Sequence, residues 1–272
     1  MAQRTLPGYL PQDVPPPGAL ISLGFQHVLT MFPATVFVAI ATGFDVGVTL
    51  FASGLATIVA LLGSGRRIPL YYGSSFSYIA AVVAVVGAEW GGVRVAQVGI
   101  VATAFVSIIA GLLIRWVGKA AIDKVLPPIV TGSVAIIIGI SLAKGALDMA
   151  GANWVVAIVT LLATILFSVY LRGWRLLGML PILLGAIVGY IVSAFMGLVN
   201  FAPVLQAAWV AVPKFTLPDF GNPNALRAVL AIAPIAIATI PESTAHLYQI
   251  SLYIDRVAED LGRPAQKISR LI

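Results

Sequence analysis

The sequence contains no cysteine, which excludes disulfides, thiol chemistry and cysteine-ligated metal sites. Charge is scarce as well. Lys, Arg, Asp and Glu make up 10% of the 272 residues, whereas 60% are hydrophobic. Soluble domains carry about 25% charged residues, so this balance indicates an all-α polytopic membrane protein. Only two histidines are present. Neither sits in a His-Glu-x-x-His or similar ligand spacing, so no metal and no cofactor is expected. No glycine-rich stretch has the GxxxxGK[ST] form that cradles phosphates, which leaves an ATP-driven pump unsupported. A Ser–His–Asp hydrolase arrangement is missing too, and no enzymatic activity is expected. Residues 1–17 lack the apolar core of a cleavable signal peptide, so insertion is expected to use the first span. The net charge of +6 does not indicate a nucleic-acid partner. The basic residues lie between apolar runs, without interleaved aromatics.

What is present is a succession of apolar runs, whose partner is the lipid bilayer. After a proline-rich tail at residues 1–17, expected to be short and flexible, spans are predicted at 20–42, 46–63 and 96–116. Further spans begin after Pro127-Pro128 and end near Ala146, then cover 154–171, 180–198 and 225–254. Small residues in the second span (Ala52, Ser53, Gly54, Ala56) favour close helix contact. Residues 200–224 hold four prolines and Trp209 and read as an extracytoplasmic loop with a surface-lying piece.

The third segment, residues 69–87, differs from the others. It opens with polar, aromatic and glycine residues, PLYYGSSFSY, and ends as a short apolar helix. At 1.5 Å per residue the apolar part is too short to span alone. Residues 71–75 are therefore expected to be extended backbone at membrane depth, followed by a half-helix. Discontinuous segments of this kind build transporter binding sites. Gly73, Ser74 and Ser75 would offer backbone N–H groups and hydroxyls, while Phe76 and Tyr78 would offer ring faces to a planar ligand.

The run at 225–254 carries a polar knot, Pro241-Glu242-Ser243-Thr244-Ala245-His246. Glu242 is the acidic residue placed deep within a predicted span, where an ionised group is costly and marks a functional candidate. His246 follows one helical turn later, so the two side chains share a face. A carboxylate and an imidazole so placed can titrate as a pair and carry a proton. Pro234 and Pro241 each remove a backbone N–H and invite a break or kink. The competing reading is a polar contact between helices in the protein interior. Gln26 and His27 in the first span are either such interhelical glue or groups that orient a site.

Orientation follows from Lys and Arg. With residue 1 inside, the inner loops hold Arg4, Arg66, Arg67, Arg115, Lys119, Lys124, Arg172, Arg175, Arg256, Arg263, Lys267 and Arg270. The outer loops hold Arg94, Lys144, Lys214 and Arg227. That asymmetry predicts eight crossings with both termini cytoplasmic.

Three stretches carry a family resemblance. GFQHVLTMFPATVFV, RIPLYYGSSFSYIA and PESTAHL resemble the first, third and eighth segments of the nucleobase–ascorbate transporters, the nucleobase–cation symporter-2 family. They occur in order, and their joint presence is specific. The likeness is greatest to the bacterial uracil-type carriers. It implies fourteen segments in two inverted repeats of seven, with 18–116 as core segments 1–4, 117–199 as gate segments 5–7 and 225–254 as core segment 8. Residues 255–272 would be a cytoplasmic connector, and the chain would stop before segment 9 as a fragment of a longer carrier. The resemblance further implies a bacterial inner-membrane permease taking up a small neutral nucleobase with a proton. Glu242 would bind the base with Phe76, Ser75 and Tyr78. His246 with Glu242 would couple the proton, and Gln26, His27, Ser243 and Thr244 would support the site. His246 stands where xanthine-type members place an aspartate, which favours a pyrimidine. Pro241, Ser243 and Thr244 depart from the commoner uracil-carrier sequence. A sulfate-like anion carrier of the same fold and a non-transporting membrane subunit are the alternatives. A central glutamate opposes an anionic ligand. Pairing with a second copy of the chain is left open.

Overall fold

The computed structural model describes residues 9–117, 128–174 and 177–264. The linker cations Lys119 and Lys124, and Arg4, Arg175, Lys267 and Arg270, lie outside the described residues. Those described are helical, with no strand among them. The order is α1 (Pro17–Thr42), α2 (Val46–Gly63), a 3-10 turn (Phe76–Tyr78) leading into α3 (Ile79–Gly87), and α4 (Gly92–Val117). Then come α5 (Pro128–Gly151), α6 (Trp154–Tyr170), α7 (Pro181–Phe195) after a second 3-10 turn (Leu177–Met179), the short α8 (Ala202–Gln206), α9 (Ala225–Ile232) and α10 (Ile235–Asp260).

Local chemistry sets the ends of these helices. Pro17 opens α1 at a position where its missing N–H costs nothing, and Gly43 closes it at φ 75°. The Asp45 carboxylate accepts from the Val48 N–H at 2.8 Å and so caps α2. Asn153 caps α6 in the same way at 3.1 Å. Among the described residues, three helices are long and apolar enough to cross a membrane, Pro17–Thr42, Val46–Gly63 and Gly92–Trp116. The shorter apolar helices are Phe76–Gly87, Trp154–Tyr170, Pro181–Phe195 and Ala225–Ile240.

The expected break in the third segment is present. Residues 67–75 are non-helical, and the half-helix begins at Phe76. The prolines of the 225–254 run act differently from one another. Ala233 and Pro234 separate α9 from α10, and the junction tightens through i→i+3 bonds from Ala236 N–H to Ala233 O and Ile237 N–H to Pro234 O, both 3.1 Å. At Pro241 there is no break, and α10 runs through it.

One core forms where α3, α4 and α9 meet. Val82, Val85, Val95, Ala96, Ala228 and Ile232 are buried together there. Close approach of α4 and α9 depends on Gly99, where an added Cβ would lie 2.7 Å from Ala228 O and 2.8 Å from Ile232 Cδ1. Likewise α6 and α7 close on each other at Gly185 and Gly189, which face Thr164 and Thr160. The small residues of α2 do something else. Nothing approaches Gly54 within 4 Å, and Ala52, Ser53 and Ala56 line a cavity instead. Overpacking a close contact costs about 1–3 kcal/mol, so Gly99→Val is expected to lower the melting temperature in detergent. Gly54→Val should leave it nearly unchanged, and differential scanning fluorimetry compares the two.

Residues 200–224 contain the short helix α8 and then fold back onto α4 and α2. Arg94 Nε donates to Leu217 O at 3.1 Å, Gln97 Nε2 donates to Thr216 Oγ1 at 2.8 Å, and the Phe51 and Phe215 rings meet edge-on at 5.3 Å.

The tail is not free along its whole length. Leu10 is 4% exposed and packs with Ile254, Val257 and Ala258 of α10. Asp13 accepts from Arg263 Nη1 at 2.6 Å. Prolines at 15–17 stiffen the chain rather than loosen it, because their φ is fixed. The Leu10 N–H and then the Arg263 guanidinium hold the Asp13 carboxyl below the usual carboxylate range. That contact is therefore present at neutral pH and is lost as pH falls through the lowered value.

Candidate substrate site at the broken segment

The break and α10 meet. Ser75 has extended backbone and its Oγ accepts from the Ser77 N–H at 3.3 Å, which starts the 3-10 turn. That turn presents Ser77 to α10, where Ser77 Oγ donates to Glu242 Oε2 at 3.3 Å. One turn earlier on α10, Thr239 Oγ1 lies 3.4 Å from the Tyr78 hydroxyl. Two side-chain contacts thus fasten the start of the half-helix to the helix that carries Glu242.

The first helix closes a second side. The Phe76 ring meets Phe37 of α1 edge-on at 5.8 Å. His27 meets Tyr71 edge-on at 5.6 Å, and the Tyr71 hydroxyl lies 3.3 Å from Thr35 Oγ1. Within the non-helical stretch, Tyr72 N–H donates to Thr57 Oγ1 of α2 at 3.0 Å. The Tyr72 N–H, freed from helical bonding, is thus held by a side chain of a neighbouring helix.

The structure brings together Ser75, Phe76, Tyr78 and Glu242 around this junction. His27 reaches it through Tyr71. Gln26 points elsewhere: its amide contacts Met179 Sδ, tying α1 to the turn before α7. His246 lies on the same face of α10 as Glu242, one turn on, and no direct bond joins the two among the described residues. Ser243 is exposed, and the Thr244 side chain lies outside what is described. Glu242, His246 and Phe76 are exposed, so the groups with the strongest ligand chemistry face an open side.

A cavity of about 470 Å³ lies beside the broken segment. Tyr72, Gly73, Ser74, Ser75 and Tyr78 form part of its wall, with α2 and α4 opposite, and Phe76 and Glu242 take no part in it. Ser75 and Tyr78 thus border both the cavity and the junction with α10, whereas Phe76 and Glu242 border only the junction.

Ser77, Thr239, Phe37 and Tyr71 were not singled out as site residues from sequence. Thr239 could have been found, since it precedes Glu242 by three residues and a helix places the two on one face. Ser77 sits between Phe76 and Tyr78 and had no distinguishing signal.

Residues 18–265 match the Permease family. The chain is 37% identical over 255 residues to the uracil permease of Bacillus subtilis (strain 168), covering 88% of this chain and 58% of the relative. It is 37% identical over 256 residues to the uracil permease of Bacillus caldolyticus, covering 90% and 58%. It is 32% identical over 242 residues to the putative pyrimidine permease RutG of Escherichia coli (strain K12), covering 84% and 54%. The chain thus spans a little over half the length of these curated relatives. Its match across nearly all of its own length, with the apolar helices described above, makes this chain a multi-pass membrane protein of the Permease family.

Proposed function

We propose that this chain carries the substrate-binding face of a nucleobase permease, that uracil is its base, and that uptake is coupled to a proton. The observation that carries the reading is the Ser77–Glu242 contact at 3.3 Å, which holds a carboxylate against the broken segment. An ionised carboxylate only accepts hydrogen bonds, and a pyrimidine ring presents N–H donors to it. Phe76 supplies a ring face beside it, and the Ser75 region supplies hydroxyl and backbone groups for the carbonyl oxygens of the base. The names of the relatives support uracil or another pyrimidine as the base. His246, one turn from Glu242, is the proton partner in this reading, and loading the pair with a proton lessens the cost of burying the carboxylate with its ligand. Both termini lie in the cytoplasm, on the Lys and Arg asymmetry, and the site opens alternately to the two sides as core moves against gate.

The test is a thermal-shift panel on a carrier of the relatives' full length that contains residues 1–272. A ligand that binds the native state raises the melting temperature with concentration. Uracil is expected to do so, and sulfate and xanthine are not. Stabilisation by sulfate in place of uracil would overturn the reading.

A further inference from the structure

Residues 9–13 lie about 18 Å along α10 from the candidate site, taking 1.5 Å for each of the twelve steps from Glu242 to Ile254. They make two kinds of contact with that end of α10 and one within the segment itself. Leu10 fills an apolar cluster with Ile254, Val257 and Ala258, flanked by Ile250 of α10 and by Ile68 on the approach to the broken segment. Asp13 Oδ2 accepts from the Leu10 N–H at 3.0 Å, and the Asp13 N–H donates to Leu10 O at 2.9 Å, so the segment is a closed turn. Asp13 Oδ1 accepts from Arg263, just beyond the end of α10. On its other side the turn runs into Pro15-Pro16-Pro17 and directly into α1, and Pro16 has the φ −54°, ψ 147° of a polyproline spacer.

This small turn therefore joins three elements that carry site groups: α1 with His27, the approach to the broken segment with Phe76 and Ser77, and α10 with Glu242. An α-helix transmits a displacement of its end along its length, because its hydrogen-bond ladder keeps it stiff. At the site itself only two side-chain contacts, Ser77–Glu242 and Tyr78–Thr239, join the half-helix to α10, and the first lies on an open face. We propose that residues 9–13 are a strap that pins the far end of α10 to the approach of the broken segment, with Leu10, Asp13 and Arg263 as positioning residues that keep Glu242 opposed to Ser77. The proposal rests on the reading of Glu242 as the substrate acceptor.

The strap is tested in two arms. The sequence has no cysteine, so a single introduced thiol reports alone. Ala258 is fully buried under the strap. In purified protein, Ala258→Cys should react slowly with a maleimide. Adding Leu10→Asp or Asp13→Arg should speed the reaction severalfold, and Asp13→Arg with Arg263→Asp should restore the slow rate. Equal rates with and without the strap substitutions, or fast labelling with the strap intact, would overturn it. In the second arm, the same substitutions in a full-length carrier should raise the Kd for uracil, and the charge swap should bring it back. Strap variants that free Ala258→Cys yet bind uracil as the parent does would refute the positioning role. A parent carrier that binds no uracil would refute the substrate reading and leave the labelling result standing.

Discussion

Glu242→Gln is expected to remove most uracil binding from a full-length carrier of this sequence while leaving the carrier folded. The amide keeps one acceptor oxygen but replaces the other with an NH2 that meets the donors of the base. A hydrogen bond to a charged group contributes about 1.5–3 kcal/mol, so the loss of one lowers affinity by about tenfold to a hundredfold. Ser77 can still donate to the amide oxygen, so the contact with the broken segment persists and the fold is not the cause. Titration calorimetry against uracil measures the change, with a melting curve as the control. Affinity within the parent's range would remove Glu242 from the site.

His246→Leu is expected to separate binding from coupling. The imidazole sits one turn beyond Glu242 on a continuous helix and is the proposed proton partner. It makes no direct bond to the carboxylate among the described residues, so its removal spares the acceptor. Coupling between two ligands on one protein is typically about 1–3 kcal/mol, or about five- to a hundredfold in affinity. The stimulation of uptake by an inward proton gradient should fall by that order, with counterflow of labelled uracil largely kept. Proteoliposomes allow both assays on one preparation. If both are lost together with equilibrium binding, His246 belongs to the binding site itself and the division of roles is wrong.

These expectations stand on features that differ in how far the sequence disclosed them. The break at residues 67–75 was legible because polar and glycine residues interrupt a run too short to span alone. Glu242 was legible because a carboxylate inside an apolar run is costly anywhere except at a site or partner. The partner was not legible. Ser77 reaches Glu242 across 165 residues of chain, and no local rule identifies which of three serines the turn will present. The prolines show the limit of local reasoning as well. Pro234 and Pro241 lack the same N–H, yet the chain breaks at the first and continues through the second, a difference that their shared chemistry does not predict. Small residues mark potential close contacts, and the fold used Gly99, Gly185 and Gly189 while leaving the small-residue stripe of α2 beside a cavity. The strap was missed because a proline-rich terminus reads as loose, whereas consecutive prolines make a stiff spacer that delivers Leu10 to its cluster.

The central claim is that the base sits on the Phe76–Glu242 face of the broken segment and not in the cavity beside it. Substrate protection of single cysteines decides between the two. Cysteine placed at Ser77 or at Phe37, whose ring meets Phe76, reports the first face, and cysteine at Ser53 reports the cavity wall formed by α2. In a full-length carrier, saturating uracil should slow maleimide labelling at Ser77→Cys and Phe37→Cys and leave Ser53→Cys unchanged. Protection at Ser53→Cys with none at the other two would place the base in the cavity and contradict the account.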